Sequence, residues 1–164
     1  MSSVAFHPDH ATNGLLYVVT GEAIPNGKTP HYSAPQDETP NAFDNVLYEF
    51  RVSAGDPDQV DPASKRELLR VRRPSGSHTM SDLVFGGDGF LYVSLGDGGL
   101  TPTGTPTGFY ANGQDTSNPF GCVLRLDVDA IGPNGRYAIP PDNPFAGGVG
   151  GIPELFAWGL RNPW

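Results

Sequence analysis

The chain repeats itself, and the repeat limits the folds open to it. FHPDHATNGLLYVVTG at residues 6–21 returns as FGGDGFLYVSLG at residues 85–96: Phe-x-x-Asp, then Gly, then an apolar run through Leu-Tyr-Val. Tyr17 falls on Tyr92, 75 residues on. The first copy carries four more residues before its Gly, an insertion that a turn accommodates at small entropic cost. Downstream, VLYEFRV at residues 46–52 returns as CVLRLDV at residues 122–128, 76 residues on. Val46, Tyr48, Phe50 and Val52 fall over Cys122, Leu124, Leu126 and Val128, while charged Glu49 and Arg51 fall over charged Arg125 and Asp127. Successive strand residues face opposite sides of a sheet, so a slip of one residue would invert every face, and the coincidence is informative.

Each module holds two further strand candidates. ELLRV at residues 67–71 matches ELFAW at residues 154–158, and the short VAF (4–6) and LVF (83–85) lead into the two Phe-x-x-Asp turns. The 22 Gly and 17 Pro favour turns over long helices, and no segment reads as a convincing helix. Four short strands per module, joined by Gly-, Pro- and Asn-rich loops, predict an all-β chain built as β-propeller blades. An ordinary β-sandwich is the competing reading, and the face-preserving register weighs against it. A propeller closes with about four to eight blades. The expectation is therefore a partial propeller with blade modules at about 1–77 and 78–160, a third beginning near residue 161, and further chain beyond it.

The loops that enter the innermost strands gather at one mouth of a propeller's channel. In the second module that loop is SGSHTMSD with His78; at the start of the third it is GLRNPW with Arg161 and Asn162. A His and an Arg-Asn pair at equivalent positions suggest a general base beside donors suited to an anionic or carbonyl-bearing ligand. A solvated loop His and a turn-stabilising Arg-Asn-Pro is the plainer alternative.

Other signals are weaker. A net charge of −8 excludes the basic footprint of a nucleic-acid binder. No apolar run reaches the ~18 residues of a membrane-spanning helix, and the opening MSSVAFHPDH lacks the regions of a signal peptide. Cys122, the sole cysteine, alternates with apolar residues and reads as buried. His7, His10 and His31 show no zinc-ligand spacing, and Asp56, Asp58 and Asp61 lack the central Gly and terminal Glu of a calcium loop, so no metal ligand is assigned. The DGG at residues 97–99 and GGDG at residues 86–89 read as tight turns capped by Asp. The polar insertion at residues 100–120 reads as a rim or lid.

Taken together, VAFHPDHATNGLLYV, LVFGGDGFLYVSLGDGG, GCVLRLDVD, IPPDNPF and ELFAWGLRNPW resemble the soluble PQQ-dependent sugar dehydrogenases, the glucose/sorbosone dehydrogenase family. The same motifs occur in the same order over nearly the whole chain. The resemblance implies a six-bladed propeller, an aldose sugar substrate, PQQ and calcium as cofactors, an external electron acceptor, and a periplasmic or secreted location. By position, His78 matches the family's general base, and Arg161 and Asn162 match the pair that contacts PQQ; calcium ligands belong to later blades. Many relatives read His-x-Gly-Gly after the base, whereas Thr79, Met80 and Ser81 follow His78 here, which predicts side chains in place of bare backbone beside the cofactor. A non-catalytic propeller that binds protein or glycan, as in Hedgehog-interacting-type relatives, is the alternative. Two blades of six leave two faces open, so residues 1–164 by themselves are expected to self-associate, and neither to bind PQQ tightly nor to oxidise sugars.

Overall fold

The structure is a computed structural model, and it describes residues 3–24, 28–33, 43–73, 76–99 and 112–164. Its strands are β1 (Ser3–Phe6), β2 (Leu15–Glu22), β3 (Tyr32–Ser33), β4 (Phe43–Val52), β5 (Val60–Arg73), β6 (Met80–Phe85), β7 (Leu91–Leu95), β8 (Cys122–Leu126) and β9 (Leu155–Ala157). One four-residue helical turn, α1 (His10–Asn13), and a 3₁₀ turn (Asn112–Gln114) are the helices among the described residues. The fold is nearly all β.

The strands form two sheets, ordered β1-β2-β4-β5-β3 and β6-β7-β8-β9, antiparallel throughout except where β3 runs parallel to β5. Their registers coincide. Leu16 pairs with Phe50 and Tyr17 with Glu49 in the first sheet; Leu91 pairs with Leu126 and Tyr92 with Arg125 in the second. Phe6 and Phe85 occupy the same place, opposite Leu16 and Leu91. The four residues inserted in the first copy are the helical turn α1 itself, closed by Gly14 at φ 68° with its N–H on the His10 carbonyl. A Cβ on Gly14 would lie 2.8 Å from a Val52 methyl, so both conformation and space require glycine there.

Directly paired residues share a face, which defines how the sheets meet. Tyr17, Val19, Leu47, Leu69 and Val71 of the first sheet pack against Leu91, Val93, Leu95, Cys122, Leu124 and Leu126 of the second. Phe85 meets the Tyr17 ring edge-on at 5.4 Å. Each fully buried Leu or Val here contributes about 1.5–3 kcal/mol. Polar groups seal the seam. His7 is buried, and its Nδ1 accepts from the Asp9 N–H and the Asn13 amide, so Nε2 carries the proton and donates to Asp129 at 3.0 Å. Glu154 takes the Tyr137 and Tyr32 hydroxyls, each at 2.8 Å, and burial drives both phenols to higher pKa. The opposite faces carry Val4, Phe6, Val84 and Phe156 exposed.

Three expectations need adjustment. The first sheet has five strands, not four. The segment at residues 67–71 is the end of a 14-residue strand, β5, which follows β4 through two register shifts. The segment at residues 154–158 shortens to Leu155–Ala157. Cys122 is buried as expected, and burial raises its thiol to about 12. Most of the 100–120 insertion, residues 100–111, lies outside the described residues.

Candidate functional site

His78 stands two residues before β6, and its backbone has φ 49°, the left-handed region that non-glycine residues rarely adopt. The residues just after β7 explain how that conformation is held. Gly96 donates its N–H to the Thr79 carbonyl at 3.0 Å, and a Cβ on Gly96 would lie 2.5 Å from the His78 carbonyl carbon and oxygen. Only a bare backbone fits against His78 there. The next residue, Asp97, reaches the His78 ring: Nδ1 and Oδ1 are 2.5 Å apart. An ionised carboxylate only accepts, so Nδ1 carries a proton, and in the neutral ring that leaves Nε2 as the acceptor nitrogen. The His78 side chain is mostly buried, 16% exposed, and its ring is held through Nδ1.

Asp97 is itself well held. Its carboxylate accepts the Gly99 N–H at 2.9 Å, and its carbonyl accepts the amide of buried Asn112 at 3.0 Å. A Cβ on Gly99, at φ 65°, would collide with the Ser77 hydroxyl. The GDGG stretch is thus a turn capped by Asp, as its sequence suggests, and also the support of the histidine. That second role was missed because the turn accounted for the aspartate; the signal was an Asp at the end of a strand whose neighbour leads to a His.

Asp97 also links His78 to the last candidate turn. Its N–H donates to the Arg161 carbonyl at 2.8 Å. The preceding residues are packed between glycines: Leu160 donates to the Gly121 carbonyl at 2.9 Å, and a Cβ on Gly121 would meet the Leu160 oxygen. His78 and Arg161, 83 residues apart in sequence, therefore lie at one end of the second sheet. The Arg161 and Asn162 side chains are exposed, and neither has a hydrogen-bond partner among the described residues. Just beyond them, Pro163 and Trp164 wall a cavity of about 260 Å³ with Val84, Tyr92 and Val123 on the open face of that sheet. Met80, expected beside a cofactor, is fully buried in the core instead. Among the described residues no group of three or more His, Cys, Asp or Glu is placed to hold a metal ion, and no helix is long and apolar enough to cross a membrane.

Comparison with known proteins agrees with the fold. The chain is 37% identical over 165 residues to mouse Hedgehog-interacting protein, covering 98% of itself and 21% of that protein. It is 29% identical over 170 residues to quinoprotein glucose dehydrogenase B of Acinetobacter calcoaceticus, covering 97% of itself and 31% of that protein. A solved glucose dehydrogenase superposes with a TM-score of 0.64 at 26% identity, over 98% of this chain and 38% of the other. The PQQ-bound aldose sugar dehydrogenase of Streptomyces coelicolor is similar in fold, with a TM-score of 0.55 at 22% identity over 97% of this chain and 36% of that one. This chain thus spans a fifth to two fifths of these proteins. The Glucose / Sorbosone dehydrogenase family model matches residues 1–164, and the chain belongs to that family.

Proposed function

We propose that this chain forms part of a PQQ-dependent aldose dehydrogenase, its two sheets serving as consecutive blades of a six-bladed propeller. The observation that carries this reading is the His78–Asp97 pair at 2.5 Å, with Arg161 tied to the same aspartate. A histidine fixed in one tautomer, at the same sheet end as a guanidinium and an amide that have no partner among the described residues, suits the oxidation of a hydroxyl.

The donor set fits PQQ, a polyanionic quinone. Arg161 offers a charged, bidentate donor and Asn162 an amide, both unspent on the protein among the described residues. PQQ, when bound, supplies the acceptor for hydride from the sugar's anomeric carbon, and an external acceptor then takes the electrons. The Nε2 of His78 receives the proton of the anomeric hydroxyl as that hydride leaves. Asp97 keeps the ring oriented and stabilises the imidazolium that results. Arg161 places positive charge where negative charge grows. Calcium is an expectation from the family.

The test is dye-coupled oxidation of a panel of aldoses by the protein purified at its native length, with PQQ added. Turnover that His78→Ala lowers about 10²–10⁴-fold supports the base. The greater identity to Hedgehog-interacting protein, 37% against 29%, favours a second reading, a binding module without catalysis. Absence of saturable PQQ binding and of turnover would select it.

A further inference from the structure

The turn bearing Arg161 and Asn162 is held at both ends. Between the pair's side chains, the Asp97 N–H donates to the Arg161 carbonyl at 2.8 Å. Behind them, the Ser81 hydroxyl donates to the Pro163 carbonyl at 2.6 Å. Ser81 has one proton, so in its 3.0 Å contact with Ser94 it accepts, and Ser94 is the donor. Ser94 in turn accepts the Asp82 N–H at 3.0 Å. The donors therefore run in one direction: Asp82 backbone, Ser94, Ser81, Pro163 carbonyl.

Ser81 lies on β6, three residues after His78, at one of the positions that departs from the His-x-Gly-Gly pattern. A glycine there would have no hydroxyl to offer. We propose that Ser81 is a positioning residue, which clamps the Arg161–Asn162 turn to the strand that carries His78. Asp97 and Ser81 pin the carbonyls of residues 161 and 163; the exposed Asn162 side chain projects from the backbone between these anchors, and the exposed Arg161 side chain from the residue whose own carbonyl is pinned. Because neither side chain has a hydrogen-bond partner among the described residues, the placement of both donors depends on these two backbone anchors. The inference rests on the proposed function for its ligand, though not for the clamp itself.

¹⁵N relaxation of the labelled protein reads the clamp through the amides of Arg161, Asn162 and Trp164. Wild type is expected to show order parameters near about 0.85 there, and Ser81→Ala values below about 0.6, with β7 and β8 unchanged. Ser81→Thr, which keeps the hydroxyl, should restore the order. Titration with PQQ should show Kd raised about tenfold in Ser81→Ala, one factor of ten being worth about 1.4 kcal/mol. The pH midpoint of dye-coupled turnover should stay where it is, since the His78–Asp97 contact is untouched. Unaltered amide order in Ser81→Ala overturns the clamp, and loosened amides with unaltered PQQ affinity overturn the positioning role. If wild type binds no PQQ, the proposed function fails, and the amide order alone decides the clamp.

Discussion

The two sheets share a register, and they use their charges in opposite ways. The 75-residue offset of the repeat carries Glu22, at the end of β2, onto Asp97, just past the end of β7. In the first sheet that carboxylate joins a closed network. Arg70, 1% exposed, bonds Glu22 at 3.2 Å, Asp44 at 3.0 Å, Glu67 at 2.8 Å and the Tyr48 hydroxyl at 3.1 Å. In the second sheet the equivalent carboxylate holds His78 and, through its backbone, the Arg161 turn, while the guanidinium itself is left to solvent. The same strand end is a structural knot in one module and an open donor set in the other. A buried charge whose partners are all protein groups is costly to uncouple; a charge without such partners is available to a ligand.

The contrast breaks most visibly under mutation of the two arginines. Arg70→Ala leaves the fully buried Asp44 carboxylate with Arg72 as its remaining charged partner among the described residues, at 3.1 Å. Removing one member of a buried ion pair costs about 3–5 kcal/mol, so chemical denaturation should show a loss of that order. Arg161→Ala should change stability by no more than about 0.5 kcal/mol, as for surface substitutions without partners, yet weaken PQQ binding. Equal stability losses would mean that Arg161 is structural too.

Acid should separate the modules more gently. Hydrogen bonds from Arg70 and Lys28 hold the Glu67 carboxyl down to about 2, against an opposing rise from burial. A folded-state pKa below the unfolded one gives stability that is complete above about pH 4.5 and is lost as pH falls toward about 2. Glu67→Gln should flatten the stability profile over that window, measured by urea midpoints from pH 5 to 2. A mutant profile as steep as wild type would place the acid sensitivity outside the Arg70 network.

Much of this was legible in the sequence because strands print their period on it. The alternation from Val46 to Val52 and from Cys122 to Val128 fixed the faces, and Tyr17 over Tyr92 fixed the offset. Elements held by distant partners were not legible. β3 is two residues in a Pro-rich loop, held because His31 exchanges two backbone-region hydrogen bonds with Arg70 and because Tyr32 reaches Glu154, 122 residues away. The start of β5 reads DPASKR, poor in strand formers, and it is extended only because β4 offers a partner at Asp61 and Val60. In the site, His78, Arg161 and Asn162 stood out by their equal place in the module. Asp97 did not, since a turn aspartate and a histidine's support look alike in one dimension. Ser81 looked like a loss of glycine, and its hydroxyl has a use only once Pro163 lies 2.6 Å away.

The most direct test of the account is a crystal structure of the protein at its native length with PQQ bound. We expect the cofactor at the His78 end of the second sheet, with Arg161 and Asn162 donating to its oxygens and the Nε2 of His78 facing it, while Nδ1 stays on Asp97. PQQ bound elsewhere, or a His78 whose Nε2 is capped by another protein group, would contradict it.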